Sequence, residues 1–264
     1  MIDLHCHVLP GVDDGPADMG ESVALVRVAA GVGIDTLVAT PHVSFDIRTR
    51  PTDVARWVAA VNQRLAEEEI AVEVRSGGEV AIAYGLRLAD EELTALHLGG
   101  GPWLLAESPL ERAAPGLDRA LRTLAGRGHR LVLAHPERSP AMRRDPALLR
   151  SLVDEGMLSS ITASSLTGRF GVEVREFALH LLEEGLVHNV TSDAHHAVRR
   201  PPGLRDALLA TAEELPGLDA QIDWLTNDVP AAVLAGTPIP ARPVDPPRRW
   251  KPRRGLLGRL DRSR

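Results

Sequence analysis

Residues 1–14, MIDLHCHVLPGVDD, decide how the rest of the chain is read. Residues 1–7 have the character of a short strand, and His5 and His7 stand two apart. In an extended strand residues i and i+2 share a face, so both imidazoles point one way and Cys6 points the other. Two imidazoles at the end of a strand make a metal-ligand geometry, because neutral imidazole nitrogen suits Zn, Mn and Fe. A polar pair satisfied inside a core is the plain alternative. Working outward, further His and acidic residues recur at the ends of later strand-like runs, which favours the metal reading.

Those runs cover residues 36–40, 71–75, 103–107, 130–135, 160–163 and 188–192. They alternate with helical patterns over 21–30, 52–69, 88–96, 117–127, 146–155 and 172–184, and two more helices near 204–214 and 224–235 close the body. Strand–helix alternation is the signature of a parallel α/β fold. Seven parallel strands at this spacing predict a closed, barrel-like α/β domain over residues 1–237, with catalytic groups at the C-terminal strand ends. A doubly wound open sheet is the alternative.

Hydrophobic residues make up 44% of the 264, enough for a sizeable core, but aromatics are only 3%, so Ala, Val, Leu and Ile must build it. The net charge of −6 is unevenly placed. From Pro240 onward nine Arg and Lys face two Asp, a local +7, so the preceding body carries −13. An acidic body argues against nucleic acid as the ligand and suits a carboxylate-rich cation site. The single cysteine excludes an internal disulfide and fits a reducing cytoplasm. No signal pattern and no long apolar run is visible, which predicts a soluble intracellular protein. Residues 238–264 turn abruptly to Pro and Arg and are expected to be disordered or a docked extension. Within them Leu256, Leu257 and Leu260 stand among arginines, a pattern for weak membrane-surface or partner contact, or simply a solvated basic tail.

The candidate ligands at strand ends are His5, His7 and Asp14, then His42, Glu79, His135, and Asp193 with His195. Each alone has a bland reading: Glu79 a solvated loop acid, His42 a surface turn, Asp193 a helix cap. Together, five His and three carboxylates exceed what one metal uses, so two or three ions are implied, with Glu79 or Asp193 as natural bridges. Mixed His and carboxylate ligands without cysteine favour Mn, Fe or Zn over Mg or Ca. Such centres activate water at neutral pH and clamp both oxygens of an in-line displacement, which is phosphoester chemistry.

The stretches His5-Cys6-His7, PGVDDG (10–15), Thr40-Pro41-His42, HPER (135–138), ITASSLTG (161–168) and SDAH (192–195) resemble the PHP family of metal-dependent phosphoesterases. Within it they resemble the bacterial tyrosine-protein phosphatases of capsule and exopolysaccharide operons, the CpsB/YwqE type, over roughly residues 1–235. The resemblance implies a distorted seven-stranded TIM-like barrel with a trinuclear, usually Mn-activated centre. It implies dephosphorylation of the phosphotyrosine-bearing tail of a bacterial tyrosine kinase. It adds Arg138 as a phosphate-binding group, a role suited to a bidentate guanidinium, with an ion pair to Glu137 or Glu107 as the alternative. It adds Glu107 as the acid that protonates the leaving phenolate, with orientation of a ligand His as the alternative. Where relatives often have His after the Thr-Gly pair, this chain has Arg169, a candidate second phosphate contact.

A cysteine-based phosphatase needs C-x5-R, and the position six after Cys6 is Val12. Cys6 therefore reads as a buried thiol behind the ligand strand. No phosphate-binding Gly-rich motif opens a helix, and Gly99-Gly100-Gly101 reads as a flexible turn. His97, His129, His180, His188 and His196 have no evident partners. A small-molecule phosphatase of the histidinol-phosphate type, an amidohydrolase-like hydrolase and a non-catalytic regulatory metal-binding module are the competing functions. Association through the outer helices stays open.

Overall fold

The computed structural model describes residues 1–111 and 114–249. Nine strand segments form: β1 (Ile2–Cys6), β2 (Thr36–Ala39), β3 (His42–Val43), β4 (Glu73–Ser76), β5 (Glu79–Ala81), β6 (Trp103–Glu107), β7 (Arg130–Ala134), β8 (Leu158–Thr162) and β9 (Asn189–Thr191). Every pairing between these strands is parallel, in two sheets ordered β1-β2-β4 and β3-β5-β6-β7-β8-β9. The fold is therefore α/β with parallel sheets.

Seven runs were expected and nine segments appear because two runs break. The second breaks at Thr40-Pro41, where Pro41 has no N–H to continue a ladder. Thr40 ties the break to the first strand: its N–H donates to the Cys6 carbonyl at 3.0 Å, and its hydroxyl accepts the Cys6 N–H at 3.1 Å. The third breaks at Gly77-Gly78, where the chain passes too close to its neighbours for a side chain. A Cβ on Gly77 would lie 2.8 Å from Val38, and one on Gly78 2.8 Å from Leu96. After both breaks the chain pairs again, so that His42 sits opposite Glu79 in the β3–β5 register. The last strand returns to the first: the Asp193 N–H donates to the His5 carbonyl at 2.9 Å and the His7 N–H to the Ala194 carbonyl at 2.8 Å.

The core is aliphatic, as the composition requires; Leu4, Leu37, Leu104, Leu105 and Leu121 are fully buried. The helix Pro51–Glu67 starts with proline in its first turn, where the missing N–H costs nothing. It buries Val54, Val58, Val61 and Leu65, a single stripe at helical spacing. Each such side chain contributes about 2 kcal/mol of burial. Asn62 then fixes the helix to β4 by exchanging two hydrogen bonds with the Val74 backbone, at 2.7 and 2.9 Å. The closing helix expected over 224–235 is a π-helical turn, Trp224–Asp228, followed by the helix Val229–Ala235.

The start of the basic tail is docked. Trp224 donates its indole N–H to the Pro240 carbonyl at 3.0 Å. Arg242 lies 4.3 Å from the Trp224 ring and donates to the carbonyls of Gly185 and Val187. Arg249 reaches Glu183 at 2.8 Å. The Leu-Arg motif over 253–260 lies outside the described residues. No helix among the described residues is long and apolar enough to cross a membrane.

Candidate metal centre

The polar face of β1 carries Asp3, His5 and then His7, all fully buried, while Leu4 and Cys6 face the other way into the core. Cys6 is a buried free thiol, as its alternation predicts. The other candidate ligands stand where neighbouring parallel runs stop or break: Asp14 in the loop after β1, His42 and Glu79 opening β3 and β5 just past the breaks, His135 after β7, and Asp193 and His195 after β9. Two of them sit at corners with left-handed backbone: His135 (φ 32°) and Asp193 (φ 51°). Non-glycine residues rarely adopt this region, and such strain persists only where surrounding structure enforces it.

Glu79 is the hub. One oxygen lies 2.7 Å from His135 Nε2; the other lies 3.0 Å from His42 Nδ1, 3.3 Å from His5 Nε2 and 3.3 Å from His7 Nε2. Asp193 Oδ1 lies 3.4 Å from His5 Nε2 and 3.5 Å from His7 Nε2. Asp14, more than half exposed, approaches His195 Nε2 at 3.3 Å and His42 Nε2 at 3.6 Å. His7 and His195 stack with centroids 3.8 Å apart. All eight strand-end candidates thus lie in one cluster.

Burial and charge oppose each other throughout it. Burial disfavours charge on His7, but Asp13 and Glu79 overcome it and hold the imidazole well above its ordinary range. Burial likewise disfavours charge on Glu79, and His5, His135 and His42 pull it well below the carboxylate range. Glu107 goes the other way: burial, with the Glu79 charge beside it, pushes its carboxyl up. His195 is pushed down, first by burial.

Glu107, at the end of β6, lies 3.8 Å from both His42 Nδ1 and His135 Nε2. Arg138 pairs with Asp193 at 2.8 Å, and with neither Glu137 nor Glu107 in any ion pair among the described residues. Glu137 instead turns inward, where it accepts the Thr162 N–H at 2.9 Å and the Ser165 hydroxyl at 2.6 Å and so fixes the corner that presents Arg138. Arg169 is not brought to the cluster: it is exposed and lines a separate hollow with Ser164, Pro201 and Asp206.

Further contributors carry no distinguishing mark in the sequence, chief among them Asp13, Arg200 and Asp3. Asp13 lies 2.7 Å from His7 Nδ1 and accepts the N–H groups of Gly15 and His42, each at 3.0 Å. Gly15 lets this loop close down, since a Cβ there would stand 2.7 Å from the His7 carbonyl oxygen. Arg200 pairs with Asp193 and lies 3.2 Å from His195 Nε2. Its guanidinium and that of Arg138 both lie over Phe170, at 5.6 and 4.4 Å. His196 builds the turn that delivers Arg200, accepting the N–H groups of Val198 and Arg199. Asp3 accepts the hydroxyl and N–H of Ser192 and pins β9 to β1. The Asp13-Asp14 doublet and the residues just after SDAH were the available signals, but nothing in either distinguishes a positioning residue.

The donor chemistry fits divalent cations. Four groups each gather ligand atoms within 4.8 Å of one another: His7, Asp14, His42 and His195; His5, His7 and Asp193; His5, Glu79 and His135; His42, Glu79 and Glu107. Each holds both imidazole nitrogen and carboxylate oxygen, the set that suits Mn, Fe or Zn. Asp13 holding His7 Nδ1 is the carboxylate–histidine pairing that orients a ligand imidazole.

Against known proteins, the family described as capsular polysaccharide synthesis, CpsB/CapC, matches residues 1–228. The tyrosine-protein phosphatase YwqE of Bacillus subtilis (strain 168) is 34% identical over 255 residues, 95% of this chain and 98% of that one. The putative tyrosine-protein phosphatase CapC of Staphylococcus aureus is 30% identical over 208 residues, 76% of this chain and 79% of that one. Among solved structures, a chain from the crystal structures of Bacillus subtilis YwqE and Streptococcus pneumoniae CpsB, described as unique metal-dependent tyrosine phosphatases, superposes with a TM-score of 0.82 at 33% identity. That match covers 96% of this chain and 100% of the other. A beta-aspartyl dipeptidase of Fervidobacterium islandicum shares the fold alone, with a TM-score of 0.54 at 14% identity over 88% of this chain and 72% of that one.

Proposed function

The chain belongs to the CpsB/CapC family of capsular polysaccharide synthesis, and from this we propose that it is a metal-dependent protein-tyrosine phosphatase. Its substrate is the phosphotyrosine-bearing tail of a bacterial tyrosine kinase that controls capsule or exopolysaccharide synthesis. The observation that carries the reading is the convergence of five His and three carboxylates from separate strand ends, with Arg138 beside them. We read the architecture as a distorted seven-stranded barrel, its first and last strands joined by the His5–Asp193 and His7–Ala194 hydrogen bonds. A cytoplasmic location fits the single buried thiol.

His5, His7, Asp14, His42, Glu79, His135, Asp193 and His195 would hold two to three divalent ions, most naturally Mn, with Fe or Zn as alternatives. The sharing of His5, His7, His42 and Glu79 between groups supports more than one ion. When bound, the ions supply positive charge on the phosphoryl oxygens and lower the pKa of water. Arg138 and Arg200, now paired with Asp193, would turn to the phosphoryl oxygens, where a planar guanidinium binds two oxygens at once. Glu107 stands beside His42 and His135, at the side where a leaving group would emerge. There it would give its proton to the phenolate oxygen as the P–O bond to tyrosine breaks, while the attacking water forms the new bond to phosphorus and its surplus proton passes to solvent or back to the Glu107 carboxylate.

The test is Mn-dependent hydrolysis of a phosphotyrosine peptide beside a phosphoserine peptide and histidinol phosphate, with His42→Ala as control. Selective release from phosphotyrosine, abolished in the variant, is expected. Preference for histidinol phosphate would move the protein to small-molecule chemistry.

A further inference from the structure

The two sides of the cluster differ in chemistry. On the Asp193 side stand the two guanidiniums, Arg138 and Arg200. On the Glu107 side opens a hollow of about 420 Å3, with His42 and Glu107 at its inner end and Phe45, Ile82, Pro109 and Leu110 along its walls. None of the described residues lining it is Arg or Lys, and Asp46 and Glu111 are among them. An anion is therefore drawn to one side of the cluster, and the apolar part of a substrate is left to the other.

The hollow is apolar where a soluble protein has no structural need for it. Phe45 is 44% exposed and Leu110 43% exposed, among few large hydrophobic residues left in solvent. Phe45 is nevertheless held in place. Its ring meets Tyr84 edge-on at 5.1 Å and lies 5.2 Å from the Arg87 guanidinium. Its loop is closed by Ser44, whose N–H donates to the Ile47 carbonyl at 2.8 Å and whose hydroxyl accepts the Ile47 N–H at 3.1 Å. An exposed aromatic wall fixed in advance loses little freedom when a ligand packs on it.

We propose that this hollow receives the phenyl ring of the phosphorylated tyrosine, and that Phe45 and Leu110 are the residues that favour an aryl phosphate ester over an alkyl one. The inference rests on the phosphatase reading above. A phosphoryl group held between Arg138 and the cluster places its ester oxygen toward Glu107, and the group attached to that oxygen enters the space between Phe45 and Leu110. A flat ring gains aromatic and aliphatic contact there, whereas the short side chain of phosphoserine does not reach it.

The experiment uses the full chain loaded with Mn. Binding of a peptide carrying non-hydrolysable phosphonomethyl-phenylalanine is measured by calorimetry, with inorganic phosphate as the second ligand, for the native protein, Phe45→Ala, Leu110→Ala and Phe45→Tyr. Aromatic contacts of this kind predict that Phe45→Ala weakens the aryl peptide about threefold to tenfold, and Leu110→Ala by a smaller factor, with phosphate affinity unchanged. Phe45→Tyr, which restores the ring, restores the affinity. Both exposed positions can be truncated without opening the core, and thermal melting checks this. Equal aryl-peptide affinity in native and Ala variants, with phosphate still bound, overturns the role of the hollow alone. Failure of the native protein to bind either ligand overturns the phosphatase reading, and the hollow's role falls with it.

Discussion

At the N-terminal ends of β6 and β7, His97 and His129 form a closed chain of hydrogen bonds. His97 Nδ1 lies 2.9 Å from the Gly101 carbonyl, His97 Nε2 lies 3.0 Å from His129 Nδ1, and His129 Nε2 lies 3.2 Å from Asp90, which Arg127 also holds. At the C-terminal ends of the same two strands, Glu107 and His135 join a crowd in which nitrogens face nitrogens; His5 Nε2 and His7 Nε2 stand 3.2 Å apart. Both groups are buried imidazoles near carboxylates. The first gives each ring nitrogen one hydrogen-bonding partner and asks for nothing more. The second packs two buried carboxylates among five imidazoles whose nitrogens converge on shared points. A cation placed there completes the arrangement, and one placed in the first group would break it. The density of converging donors, more than the presence of histidine, marks the site.

The comparison breaks most sharply at His42. His42→Ala is expected to lower phosphotyrosine hydrolysis by about a thousandfold, the scale of losing a central charge-stabilising contact, with the melting temperature nearly unchanged. A His42→Ala enzyme within tenfold of native would make the two histidine groups functionally alike.

A third kind of histidine sharpens the contrast. His188 stands alone, accepting the Ser159 N–H at 3.2 Å, with Trp224 beside it and Arg242 the charge that faces it. Burial, with the Arg242 charge, lowers its pKa from 6.5 to about 4. The folded state binds this proton less readily than the unfolded one, so the stability it contributes is complete above pH 6.5 and is lost as the pH falls towards 4. The loss reaches about 3 kcal/mol. Urea midpoints between pH 7 and 4.5 should fall less steeply in His188→Gln; an identical slope would remove His188 from the account.

Next in size is Asp13, which belongs to the crowded group by position and to the satisfied group by behaviour. Asp13→Asn keeps the shape but removes the charge that holds His7. Metal affinity should fall about tenfold to a hundredfold, read by competition with a chromogenic chelator, while saturating Mn restores most of the rate. The smallest effect belongs to the closed chain: His97→Gln should cost about 1 kcal/mol of folding stability and leave hydrolysis and metal content as they were.

The eight converging residues were legible in the sequence because strand-end position and alternation are local signals: His5 and His7 two apart, and acids or imidazoles where each apolar run stops. The parallel α/β alternation was legible for the same reason. Partnership was not. His97 and His129 meet across 32 residues, and Arg200 reaches Asp193 only through a turn built by His196. The breaks in the second and third runs carried their own markers, Pro41 and Gly77-Gly78, but only the neighbours Val38 and Leu96 show why the chain must break there. Arg169 had no local signal for where its side chain goes; it lines a separate hollow with Asp206 and is not part of the cluster. The tail looked uniform in composition, yet Arg242 finds two carbonyls and an indole face and is docked.

The most direct test of the account counts metal ions. Native protein, His42→Ala and His97→Gln would be stripped with chelator, reloaded with Mn, desalted and measured by elemental analysis against protein concentration. The native protein and His97→Gln are expected to retain about two to three ions per chain, and His42→Ala at least one fewer. A native protein that retains no Mn, Fe or Zn after loading, or a His42→Ala variant that retains the native number, would contradict it.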